Sequence, residues 1–234
     1  MDKVKQHQEM GYDRSVGMFS PDGLLLQVEY AEKAVKLGTS SFGITTKDGV
    51  VFIADRKIKS KLLVKESFKK IFEVDNHIAI SGSGVMSDGR RLIEQAQVMA
   101  QEHKVQYQNP IDLISLVKDI ANIQQYYSQA GGLRPFGVAL LIGGIENGQA
   151  ILYQTSPSGI YMRFLARAVG QYGDKLNEEI EKEYTENLSK EEAIKLGLSL
   201  FKKVMGDEYD SLRFDVAYLD MDENIIRLNE KEIK

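Results

Sequence analysis

A threonine directly after a glycine, an aspartate near the end of one strand and a lysine near the start of another are the residue types of a threonine nucleophile with its helpers. This sequence supplies them as Gly38-Thr39, Asp55 and Lys70. In such chemistry the hydroxyl attacks, the α-amine of the same threonine takes the proton, and the aspartate and lysine set the charge around the pair. The amine exists only if the chain is cut after Gly38. The residues ahead of Thr39 therefore decide between a self-processing hydrolase and a different role, and threonine is common at strand starts in any case.

Three other spacings fall short of a site. Gly82 and Gly84 lie between a strand and a helix, as a phosphate-cradling loop would, but the third glycine of G-x-G-x-x-G is replaced by Ser87 and no βαβ unit follows. They read as a tight strand-to-helix joint, with a nucleotide-binding enzyme as the more remote alternative. Asp220, Asp222 and Asn224 imitate the opening of a calcium loop, yet its sixth position is Ile225 and its twelfth is Lys231, so a hairpin turn is expected. His7, His77 and His103 lack metal-ligand spacing. No metal and no cofactor is expected.

The elements that must position these residues begin with "FSPDGLLLQVEYAEKAVKLGTS". It reads as an amphipathic helix over residues 20–36, with Ser20 as N-cap, Pro21 at the first helical position, Asp22 at the positive end of the dipole and Gly38 as the stop. Leu24, Val28, Ala31 and Val35 form one apolar stripe, while Glu29, Glu32, Lys33 and Lys36 face elsewhere. Leu25 and Leu26 lie off that stripe and suggest a second covering surface, such as another subunit. Downstream, Asp48-Gly49 and Asp75-Asn76 mark two hairpins. Two helical patterns follow, from Val85 and from Asp112. A second β block contains "LARAVGQ", and two more helices come next, the last opened by the capping box Ser189 and Glu192. "RFDVAYLDMDENIIRLN" closes the chain as a hairpin. Strands, two helices, strands, two helices, strands imply an α+β chain folded as a four-layer αββα sandwich with an N-terminal helix.

At 234 residues the chain is long enough for one large domain. Thirty basic residues against thirty-four acidic ones argue against nucleic acid or an anionic membrane as the main partner. There is no cysteine, no apolar run in the first eighteen residues and no stretch near the length of a membrane span, which together suggest a cytoplasmic protein.

"GYDRSVGMFSPDGLLLQVEYAEKAV", "GGLRPFGVALLIGG" and "SPSGIY" together resemble an α-type subunit of the 20S proteasome, in its archaeal form, from about Gly11 to the C-terminal hairpin. The resemblance implies the N-terminal-nucleophile hydrolase fold in a non-catalytic version. It implies a seven-membered ring of copies of the chain, stacked on proteasome β subunits and gating the axial pore through which unfolded polypeptides pass. Residues 1–11 would be a mobile gate tail and 12–234 a single subunit domain. Tyr12, Asp13, Pro21 and Tyr30 match the family's gate cluster. Lys70, with Glu29 and Gly38 nearby, matches the pocket that receives the C-termini of a regulatory ATPase or other activators, and Lys69 points away from it. Gly38-Thr39 resembles a relic of the β-subunit cleavage junction. Ala166, Ala168 and Val169 stand where catalytic subunits carry a serine- and glycine-containing segment. Leu24 and Leu26 replace the usual arginine and aromatic residue, so the contacts those side chains make in the family are not expected here.

Overall fold

The strand Gly49–Asp55, GVVFIAD, is buried at all of its positions because both of its faces are covered. The computed structural model describes residues 7–58, 60, 62–64 and 67–229. We number the elements α1 (Leu26–Leu37), β1 (Ser41–Thr46), β2 (Gly49–Asp55), β3 (Ile71–Asp75), β4 (Ile78–Gly84), α2 (Met86–Tyr107) and α3 (Leu113–Gln129). After these come β5 (Val138–Glu146), β6 (Gln149–Thr155), β7 (Tyr161–Phe164), β8 (Ala166–Val169), α4 (Gly173–Glu183), α5 (Lys190–Met205), β9 (Phe214–Asp220) and β10 (Ile225–Arg227).

The strands form two five-stranded sheets, β10-β9-β2-β1-β8 and β3-β4-β5-β6-β7, and all their pairings are antiparallel. Alternation along β2 shows how the layers stack. Val50, Phe52 and Ala54 meet Ala139, Leu141 and Leu152 of the second sheet. Val51 and Ile53 point the other way, into a core with Leu176, Ile180, Leu200 and Phe201 of α4 and α5. On the far side, Ile78, Ile80, Leu140 and Ile142 pack beneath Leu92, Ala96, Leu116 and Ile120 of α2 and α3. The layers run helices, sheet, sheet, helices, as the element order implies. Each fully buried leucine or isoleucine contributes about 1.5–3 kcal/mol to holding them together. The capping box at Ser189 and Glu192 is formed.

The first helix is shorter than its sequence pattern suggests. It starts at Leu26, and its N-cap Leu25 offers no side-chain cap. Residues 20–24 instead make a reverse turn, in which the Gly23 amide donates to the Ser20 carbonyl (2.8 Å) and the Leu24 amide to Ser20 Oγ (3.2 Å). Gly23 has φ +78°, a value open to glycine, so Pro21-Asp22-Gly23 acts as a turn sequence and not as a helix start. The apolar stripe moves accordingly. Leu24 is 37% exposed while Leu26 is 1% exposed and buried with Val28, Ala31 and Val35, so Leu26 is core within its own chain.

Residues 1–6 of the expected gate tail lie outside the described residues, and residues 7–9 take up a helical turn. Among the described residues no helix is long and apolar enough to cross a membrane.

Candidate functional site

Lys70 stands one residue before β3, where its backbone amide and that of Ile71 donate to Asp215 Oδ2 (3.0 and 3.3 Å). Its side chain runs inward, and the residue is 1% exposed, whereas Lys69 is exposed. The ammonium donates to the Thr39 carbonyl and to Thr39 Oγ1 (2.8 Å each) and to the Asp55 carbonyl (3.2 Å). The structure therefore brings Thr39, Asp55 and Lys70 together. Burial pulls the Lys70 amine down to about 7, against the opposing pull of Asp55 and Asp215.

The two acids are engaged elsewhere. Asp55, at the end of β2, is fully buried, and both its oxygens accept from the fork of Arg213: Nε to Oδ1 and Nη2 to Oδ2, 2.7 Å each. Asp215 on β9 accepts from Arg227 Nη1 at 3.0 and 3.2 Å, and Arg227 Nη2 also donates to the Ile71 carbonyl. Arg213 closes the short turn Ser211–Arg213, which Asp210 caps by accepting from the Leu212 amide (3.0 Å). Sequence reasoning missed Arg213, Asp215 and Arg227. Arg213 is 158 positions from its partner, so no local spacing could reveal the pair.

Thr39 is held from the other side by the end of α1. The Gly38 amide donates to the Val35 carbonyl (3.0 Å), and the Gly38 carbonyl accepts from the Gln171 amide (2.8 Å). A side chain at Gly38 would collide with the backbone of Gly84, its Cβ falling 2.3 Å from the amide nitrogen. Ser83 Oγ donates to the Val35 carbonyl (3.2 Å). While the residues ahead of Thr39 remain attached, its nitrogen is a peptide amide and cannot serve as a base. Ala168 and Val169 are buried in β8, beside β1.

Gly82 and Gly84 do not line an open loop. A Cβ at Gly82 would fall 2.7 Å from the Ala139 carbonyl, and one at Gly84 2.1 Å from that of Gly137, so these glycines let β4 lie tightly against β5. Asp220 Oδ1 accepts from the amides of Asp222 and Asn224 (3.0 and 2.8 Å), as in a hairpin turn. Among the described residues no cluster of three or more His, Cys, Asp or Glu is placed to hold a metal. His77 is buried with Nε2 2.9 Å from the Ile111 carbonyl, and His103 lies 3.2 Å from that of Asn109.

Of the four gate candidates, two meet. Tyr30 OH donates to Asp13 Oδ2 (3.4 Å) and accepts from Gln8 Nε2 (2.6 Å), while Gln27 Nε2 donates to the Asp13 carbonyl (2.6 Å). Tyr12 turns its ring edge-on to buried His7, 6.1 Å between centroids, and Pro21 is exposed on its turn. Among the described residues neither Pro21 nor the Tyr12 side chain hydrogen-bonds to the Asp13–Tyr30 pair. Glu29 is exposed in the first turn of α1, at the opposite end from Gly38. Beside Tyr30 lies a groove of about 330 Å³ lined by Gln27, Ala31, Ala34, Val85, Pro135 and Gly137. Its rim is fixed by Asp88, which takes the Arg134 fork at 2.7 and 2.8 Å and the Gly137 amide at 2.9 Å. Burial pushes the Asp88 carboxyl up, but Arg134 and that amide outweigh it and hold the group below the usual carboxylate range.

Two antiparallel sheets between helical layers, with threonine, lysine and aspartate converging at the start of β1, define an αββα sandwich of the N-terminal-nucleophile hydrolase kind. The family described as "Proteasome subunit" matches residues 35–219, and the N-terminal signature of A-type proteasome subunits matches residues 12–34. The chain belongs to the proteasome α-subunit family, whose members form part of the core particle of a protein-degrading complex. It is 41% identical to the alpha 2 proteasome subunit of Haloarcula marismortui over 98% of this chain and 95% of that protein. It is 42% identical to the alpha proteasome subunit of Natronomonas pharaonis, over 98% and 91%. With the alpha proteasome subunit of Archaeoglobus fulgidus it shares 40%, over 97% and 92%.

Proposed function

We propose that the chain is a non-catalytic, cytoplasmic ring subunit that gates the axial pore of the core particle for unfolded polypeptides and receives activators. The observation that carries this reading is the burial of α1: Leu26, Val28, Ala31 and Val35 pack into the fold just ahead of Thr39, so a cut after Gly38 would strip away a core element. As long as that helix stays attached, the α-amine of Thr39 is held in a peptide bond, and Gly38 is packed against Gly84 and bonded to Gln171. Seven copies would close the ring on β subunits. Asp13 and Tyr30, joined by a hydrogen bond next to the tail, would hold the gate open together with Tyr12 and Pro21. Lys70 and Gly38, with Glu29 further along α1, would form the docking site for the C-terminal carboxylate of a regulatory ATPase or other activator.

The competing reading is self-processing to free Thr39, favoured by the 2.8 Å contact between its hydroxyl and the Lys70 amine. The two are separated by assembling the chain with its β partner and weighing it by mass spectrometry. The expected result is a chain that still carries the residues before Thr39, and a Thr39→Ala particle with unchanged peptidase activity. A chain beginning at Thr39, or an assembled particle silenced by Thr39→Ala, would establish the hydrolase instead.

A further inference from the structure

Among the described residues, the ammonium of Lys70 touches only neutral atoms: the Thr39 carbonyl, the Thr39 hydroxyl and the Asp55 carbonyl. Both nearby carboxylates are spoken for. Asp55 gives its oxygens to Arg213 and to the Lys57 amide (3.0 Å), and Asp215 gives its own to Arg227 and to the amides of Lys70 and Ile71. With Lys70 protonated, its ammonium has no direct ion pair among the described residues, and Asp55 and Asp215 favour its charge only from a distance. A desolvated charge without a counter-ion is costly, and an anion brought from outside relieves it.

We propose that Arg213 is a positioning residue that reserves Lys70 for an external carboxylate, by holding both oxygens of Asp55 away from the ammonium. The inference rests on the reading of Lys70 as a docking residue. The ammonium reaches the carbonyl of Asp55, and the carboxylate of that same residue is near enough to favour the charged amine. Without Arg213 it would swing onto Lys70 and form an internal ion pair that competes with any incoming carboxylate. Arg213 prevents this with two parallel bonds at 2.7 Å and a third anchor from Nη1 to the Glu208 carbonyl (2.9 Å). Thr39 is the partly exposed member of the ammonium's shell, so its hydroxyl is the contact that an incoming carboxylate would exchange. Asp55 on β2 and Asp215 on β9 are the anions facing Lys70, and Arg213 and Arg227 are the cations that occupy them.

The test uses the assembled particle and a fluorescent peptide carrying the last eight residues of the cognate proteasomal ATPase, as the free acid and as the C-terminal amide. The wild type should prefer the acid by about tenfold or more. Arg213→Met should reduce that preference to within about twofold, and the pH at which the ¹³Cε signal of Lys70 titrates in lysine-labelled particles should rise. Adding Asp55→Asn to Arg213→Met removes the competing carboxylate and should restore both the preference and the lower titration, a rescue that general loosening of the fold would not produce. Arg213→Lys, which keeps a charge but loses the fork, should fall between and carries the comparison if Arg213→Met does not assemble. A wild type indifferent to acid or amide would refute the docking reading alone, and the Lys70 titration across the variants would still judge Arg213. An unchanged titration in Arg213→Met and in Arg213→Lys would overturn the proposal.

Discussion

At the scale of single residues, Lys70 makes the chain's stability depend on pH in a definite direction. Its amine titrates near 7 in the folded protein and near 10.5 when free, so between those values the unfolded chain holds the extra proton. Stability from this group therefore rises as pH increases from about 7 to 10.5, and the cost of the buried charge is present in full below 7. Urea midpoints of the wild type measured against Lys70→Met across this range should show the wild type gaining on the variant as pH rises. Docking should move the opposite way. If the charged ammonium receives the carboxylate, affinity for an activator should weaken by up to about tenfold per pH unit above 7. Lys70→Ala should lose on the order of 2–5 kcal/mol of activator binding, and Lys69→Ala, whose side chain is exposed, should lose almost none. Equal losses from both lysines would remove Lys70 from the docking site.

Among the elements, α1 separates what local chemistry states from what it leaves open. Leu26 is buried and Leu24 is half out in solvent, so Leu26→Ala should destabilise the chain by about 2–5 kcal/mol and Leu24→Ala by well under 1 kcal/mol. Thermal or urea unfolding of the two variants checks the ranking. The sequence pattern implied the reverse order, because Ser20-Pro21-Asp22-Gly23 carries the residues of a helix start and those of a tight turn at once, and only the packing of Leu26 decides. Signals that act within a few residues were legible: Asp48-Gly49 turns the first hairpin and Ser189 with Glu192 caps α5. The convergence of Thr39, Asp55 and Lys70 was legible as a set of residue types. The arginines that redirect its electrostatics were not, because the ion pair from Asp55 to Arg213 joins the end of β2 to the approach to β9, and nothing near either residue announces the other.

For the whole molecule, the apolar surface open to partners is not the one that Leu25 and Leu26, off the helical stripe, suggested. With Leu26 enclosed, the exposed large side chains are Phe19 (63%), Leu37 (83%) and Leu62 (94%), among others, and these fit burial against neighbouring subunits. Native mass spectrometry of the chain, alone or with its β partner, should report closed rings at micromolar concentration; a persistent monomer in both samples would contradict the ring. Deleting residues 1–10 should speed hydrolysis of small peptides by the assembled particle without altering the β active sites, and unchanged turnover would mean that the tail does not obstruct the pore. A different kind of measurement follows from Val35, which sits in the core shared by the two sheets while Gln27 and Tyr30, two turns earlier, border an open groove. The amides from about Val35 to Gly38 should trade hydrogen for deuterium only when the sheets themselves part, whereas those near Gln27, in the first turn, should exchange sooner by local opening. The start of this helix can then open and close locally during the life of a single fold, while its other end keeps time with the core.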